Sequence, residues 1–287
     1  MADDAFTVLN DRRAVLAERA LVAWLRECAS ATPDTRPCAS PEEAAALVAP
    51  VLEGLLARAA EFHARLDRWI ALALRPVRDR VACAKSCATC CRHYVCSVEP
   101  FEHLRLYAAL RETPGFAAAL ERAALNERRF APLWERAERA AAAEAVEETG
   151  KPEHDDLFYD GLLQRYYELR LPCPVFSAAA GTCGRHDARP ASCRLYFALD
   201  GPEFCEPENL RAGAGRGFLL ELPDAVEEAI GEWSGRLEGL DLGDRMADAL
   251  LRLNVLDGIL FGATSACCGT PGAPSSSSPP RSTPSRG

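Results

Sequence analysis

Apolar residues recur at helical spacing through most of this chain, and clusters of Pro, Gly and Ser divide the pattern into segments. From about Asp11 to Cys28, the residues Val15, Leu16, Ala20, Leu21, Trp24 and Leu25 predict a helix that packs by one face. Thr32 to Pro41 is polar and Pro-rich and reads as a linker. It ends in Ser40-Pro41-Glu42-Glu43, which supplies an N-cap, a Pro at the first helical position and a capping-box Glu. A long helix is predicted from there to about Arg80, with Val48, Val51, Leu52, Leu55, Leu56, Phe62, Leu66, Trp69 and Ile70 toward the core. Pro50 and Pro76 should bend or break it.

Ser97-Val98-Glu99-Pro100 opens another amphipathic helix through about Leu110, and Thr113-Pro114 opens an Ala- and Arg-rich one ending near Gly150-Lys151-Pro152. Asp155 to Leu171 predicts a short helix rich in aromatic residues. From Cys173 to Cys205 the periodicity gives way to Gly, Pro and Cys, the composition of turns and short extended pieces. Helix returns from Pro223 to about Phe261, and Gly269 to Gly287 is too poor in apolar residues to offset its ordering entropy, so disorder is expected there. The fold class expected is mainly α, a helical scaffold carrying an irregular Cys-rich metal-binding segment. The organisation expected is an N-terminal helix and linker over 1–37, a helical domain over 38–265 with the cysteine motif at 83–205, and a tail over 266–287.

A chain of 287 residues with 48% hydrophobic content can bury a core without disulfides. Its net charge of −9 opposes binding to a phosphate backbone, so no nucleic-acid partner is expected. The start, Met1-Ala2-Asp3-Asp4, is acidic where a secretory leader would be basic, and no apolar run approaches the roughly 18 residues that a membrane span needs. These features predict a cytoplasmic protein without membrane attachment. A reducing compartment gives the 13 cysteines their meaning, because clustered thiols there are metal ligands or redox groups more often than staples.

The first cluster is Cys83-x3-Cys87-x2-Cys90-Cys91, with Cys96 beyond it. On a helix, 83, 87 and 90 would share one face, whereas Cys90 and Cys91 would point about 100° apart and would serve two metals, or one after a bend of the backbone. The second group is Cys173-Pro174, Gly181-Thr182-Cys183, Arg189-Pro190-Ala191-Ser192-Cys193-Arg194 and Cys205-Glu206. Four thiols facing four match two tetrahedral four-sulfur sites or cubane-type iron-sulfur ligation. Isolated buried cysteines also act as small hydrophobes, but the density between 83 and 91 argues against that reading. The metal ligands expected are therefore Cys83, Cys87, Cys90, Cys91, Cys173, Cys183, Cys193 and Cys205, holding zinc, iron or an iron-sulfur cluster.

The order of these elements, with the Val98-Glu99-Pro100-Phe101-Glu102 helix start between them, resembles the YkgJ-type cysteine-cluster family, described as a zinc- or iron-chelating domain with a CxxCxxCC motif. The resemblance spans about Cys83 to Cys205 and implies metal binding at the eight cysteines named above, without implying a reaction. The chain departs from that pattern in the three residues between Cys83 and Cys87, and in Gly184-Arg185-His186 where the family has an Ile-Tyr pair. His186 is a substitute ligand, an outer donor or a surface residue on this reading, and Cys96 matches nothing in the pattern.

Arg189 and Arg194 either donate to the sulfurs of a negatively charged site or stand exposed on a Pro-fixed turn. The C-x3-C-x2-C spacing also equals that of radical S-adenosylmethionine enzymes. The absence of βαβ alternation, Thr89 before the last Cys of the spacing, and the extra Cys91 oppose that class. An iron-sulfur-dependent enzyme such as a protein-lysine methylase is the alternative, because flagellin lysine methylases carry a similar cysteine cluster. The vicinal pairs Cys90-Cys91 and Cys267-Cys268 allow a dithiol redox protein, and no nucleophile elbow, P-loop or dinucleotide fingerprint appears.

Overall fold

The structure is a computed structural model and describes residues 12–84, 87–148, 156–206 and 217–262. The expected tail, the Cys267-Cys268 pair and the acidic start lie outside the described residues. The fold is mainly helical: α1 (Arg12–Ser30), α2 (Pro41–Val48), α3 (Leu52–Ala73), α4 (Pro100–Arg111), α5 (Phe116–Glu148), α6 (Asp156–Glu168), α7 (Ala191–Leu195), α8 (Asp224–Gly235) and α9 (Met246–Leu260). Two antiparallel pairs complete it, β1 (Phe176–Ser177) with β2 (Thr182–Cys183), and β3 (Tyr196–Ala198) with β4 (Gly217–Leu219).

Local chemistry sets the boundaries. Ser40 caps α2 by accepting the Glu43 N–H at 3.3 Å, and the Glu43 side chain returns to the Ala39 N–H at 2.8 Å. The helix predicted from there to Arg80 is interrupted at both prolines, by a 3-10 turn at Ala49–Val51 and a second at Arg75–Arg80. Each ring removes a donor and crowds the preceding turn. Glu99 and Glu102 form a capping box at the start of α4, with Pro100 in the first turn. The helical return predicted over Pro223 to Phe261 is two helices. Asp241 and Gly243, both left-handed at φ 50° and 64°, reverse the chain between α8 and α9.

One core joins α1, α3, α4, α8 and α9. Phe101 of α4 stacks on Trp233 of α8 at 3.8 Å, and Phe62 of α3 meets Phe101 edge-on at 5.3 Å. On α1 the buried face is Ala14, Leu21, Leu25 and Cys28; Leu16, expected there, is exposed. Val51, at the Pro50 break, is exposed as well. The segment read as a linker is built into this core. Thr35 bonds the Arg236 carbonyl through both its N–H and its hydroxyl, and Thr32 accepts the Trp233 indole N–H at 2.9 Å. A smaller cluster of Tyr94, Phe130, Leu162 and Tyr166 fastens α6 to α5. No helix among the described residues is long and apolar enough to cross a membrane.

Because Trp233 fills the junction of four helices and is fully buried, Trp233→Ala should lower the unfolding free energy by about 3–5 kcal/mol in urea titration.

Candidate metal centre

The two cysteine regions meet along their backbones. The Cys173 N–H donates to the Cys91 carbonyl at 2.6 Å. Val81 bridges Leu199, the Ala82 N–H donates to the Ala198 carbonyl at 2.9 Å, and the Ala198 N–H donates to Cys83 Sγ at 3.2 Å. This pairing keeps the chain around Cys83 extended, and the next cysteines fall on a 3-10 turn at Thr89–Arg92. Cys83, Cys87 and Cys90 therefore do not share a helical face, contrary to the spacing argument. Backbone hydrogen bonds to the 198–200 strand take the donors and acceptors that a helix would use.

Cys183 ends β2, opposite Phe176 in the β1–β2 hairpin. Gly181 turns that hairpin at φ 63°, and a Cβ on Gly184 would lie 2.8 Å from the Val175 carbonyl oxygen. That close approach leaves room only for glycine at 184 unless the Val175 carbonyl shifts. Cys193 lies on α7, and Cys205 ends a 3-10 turn at Pro202–Cys205.

The thiols act on one another electrostatically in two overlapping sets. Cys91, Cys173, Cys183 and Cys193 form one; Cys83, Cys87 and Cys205 form the other, and Cys90 acts on members of both. Burial is the main force against their ionisation. It pushes Cys173 up to about 12 and Cys205 up to about 11, and it raises Cys83, Cys183 and Cys193. Cys90 is the exception. The Cys91 thiol donates to its sulfur and Arg189 adds positive charge, so Cys90 is drawn down while Cys91 is driven up. Arg189 also eases the ionisation of Cys83, Cys183 and Cys193, as expected of a guanidinium beside a thiol group.

Arg194 does neither of the things the sequence suggested. Its guanidinium is buried and turned to the scaffold, donating to Asp67 Oδ2 at 2.6 Å and to the carbonyls of Asp187 and Arg189. It fastens the turn that carries Cys193. A second fastening runs through Glu102, which accepts the Ala191 N–H at 2.8 Å and lies 2.6 Å from His63 Nε2. Arg105 donates to His63 Nδ1, so the neutral ring carries its proton on Nε2, toward Glu102. Burial lowers His63 to about 2 and raises Glu102 to about 7. Around Cys173, Arg122 donates twice to the Pro174 carbonyl, at 3.1 and 2.8 Å, and Asn126 donates to the Pro172 carbonyl at 3.2 Å.

His93 is a further candidate donor, outside the eight cysteines expected from the sequence. Its ring stacks on Tyr167 at 3.9 Å, its Nε2 is buried without a hydrogen-bond partner, and burial lowers it to about 4, leaving the neutral form that binds metals. Tyr167 donates to the Cys205 carbonyl and Tyr196 donates to Cys205 Sγ, so His93 stands at the Cys205 end of the group. The Cys90-Cys91-x-His93 spacing was the available signal. His186 occupies a 3-10 turn, and Cys96 is half-buried beside Asp244, whose charge opposes its ionisation. All the described cysteines are free thiols. Among the described residues, no three His, Cys, Asp or Glu side chains stand as a ready-made metal-holding group.

Glu102 favours the folded state most below its ordinary value of 4.5, and that contribution is lost as pH rises through about 7. Glu102→Gln should therefore gain stability relative to the parent between about pH 5 and 8, on the order of 3 kcal/mol, when urea unfolding is compared across that range. A difference that stays constant with pH would mean that Glu102 is ionised throughout. Comparisons with family models, curated proteins and solved structures find no match to this chain.

Proposed function

We propose that this protein binds metal through Cys83, Cys87, Cys90, Cys91, Cys173, Cys183, Cys193 and Cys205, taking zinc or iron, including iron as an iron-sulfur cluster. The observation that carries the reading is the direct apposition of two cysteine-bearing segments distant in sequence, joined where the Cys173 N–H meets the Cys91 carbonyl. Free thiols crowded together, with Cys173 and Cys205 buried, oppose one another's ionisation, and a multivalent cation would supply the charge that lets them ionise. A bound ion would draw together side chains whose backbones are already adjacent. The likeness to the YkgJ-type cysteine-cluster family points the same way, and a reducing, cytoplasmic setting would keep these thiols available.

The test is anaerobic purification of the full chain, followed by elemental analysis, acid-labile sulfide assay and a visible spectrum. At least one zinc or iron per chain is expected, and chelation should lower the melting temperature by on the order of 10 °C, since about 2–4 °C corresponds to 1 kcal/mol at this size. Cys173→Ser and Cys193→Ser should lower the bound metal, whereas Cys28→Ala, in the helical core, should not. Metal-free protein with an unchanged melt after chelation would refute the proposal.

A further inference from the structure

Met246 is one of two methionines in the chain, and it opens α9 directly against the cysteine group. Its N–H donates to the Val95 carbonyl at 3.0 Å, which ties the start of α9 to the segment leaving Cys91. The side chain is 2% exposed, and Sδ lies 3.8 Å from Cys173 Sγ, itself 7% exposed. Two sulfurs bound to one tetrahedral ion at about 2.3 Å sit about 3.8 Å apart. The spacing of this thioether and thiol is thus already that of two ligands sharing an ion.

The donor chemistry narrows the ion. A thioether is neutral and soft, so it adds little to a site for zinc, which takes thiolate, imidazole and carboxylate, whereas thiolate and thioether together select Cu(I). Burial selects the same way. One thiolate, one thioether and one monovalent cation carry no net charge, so the buried position holds no uncompensated ion. Met246 is the only methionine among the described residues, and its sulfur lies against Cys173.

We propose that Met246 Sδ and Cys173 Sγ form a site for a soft monovalent cation, Cu(I) by its donor chemistry, at the buried end of the cysteine group. The inference rests on the reading that this group binds metal and adds a distinct position with its own ion preference. On binding, the Cys173 thiol proton passes to solvent, a copper–sulfur bond forms to the resulting thiolate, and copper remains Cu(I).

The chain's other methionine is Met1, so selenomethionine labelling makes selenium X-ray absorption a nearly direct report on position 246. The full chain, labelled and kept anaerobic, is loaded separately with one equivalent of Cu(I) or of Zn(II). Copper is expected as a near neighbour of selenium in the Cu(I) sample, with no metal neighbour in the Zn(II) sample. Labelled Met246→Leu, which conserves volume and reports only Met1, gives the background and should bind Cu(I) at least tenfold more weakly with Zn(II) stoichiometry unchanged. Copper bound with only carbon around selenium would overturn the thioether site and leave the cysteine reading standing. Failure to bind either ion would overturn both.

Discussion

Thiols crowded beside one another and partly screened from water resist ionisation unless a counter-charge is near, and the cysteine region is organised around that constraint. The protein groups that ease it include the Arg189 guanidinium, the Ala198 N–H on Cys83, the backbone of Val175 and the Arg122 charge on Cys173, the backbone of Arg185 on Cys183, the Tyr196 hydroxyl on Cys205 and the Cys91 thiol on Cys90. Of the thiols in this group with a displaced pKa, only Cys90 is lowered, and it is the one that acts on both sets. Burial dominates at the others apart from Cys91, which the hydrogen bond to Cys90 raises most. Their chemistry as ligands therefore depends on what positive charge arrives, because a bound cation reverses the balance that burial sets.

The helical scaffold acts on this region through the backbone on either side of the cysteines. α5 sends Arg122 and Asn126 to the carbonyls flanking Cys173. α4 sends Glu102 to the N–H of Ala191 at the start of the turn bearing Cys193, and α3 sends Asp67 to Arg194 just after it. An irregular segment has few backbone partners of its own, so long polar side chains from rigid helices take the place of a ladder. The scaffold's own stability comes from the aromatic junction of Phe62, Phe101 and Trp233, where α3, α4 and α8 meet. The same α4 thus presents Phe101 to the core and Glu102 to the cysteine side.

Much of the helical frame was legible because its signals are local. The Ser40-Pro41-Glu42-Glu43 cap, the breaks at Pro50 and Pro76, and the Glu99–Glu102 box each depend on residues within one or two turns of one another. The spacing and density of the cysteines led to the expectation that the two regions meet, and the Cys173 N–H on the Cys91 carbonyl brings their backbones together. Other readings failed where a distant partner decided the matter. The helical face proposed for Cys83, Cys87 and Cys90 gave way to pairing with the strand around Ala198, and Arg194 turned from sulfur to Asp67 on α3.

The sequence by itself determined the helices, their caps and which residues carry sulfur, because propensity, periodicity and capping act over a few residues. Tertiary structure alone decided which thiols share a neighbourhood, that Arg189 rather than Arg194 faces them, and that His93 and Met246 join their surroundings. Those outcomes depend on hydrogen bonds and burial between residues far apart in the chain, and no local pattern encodes the partner.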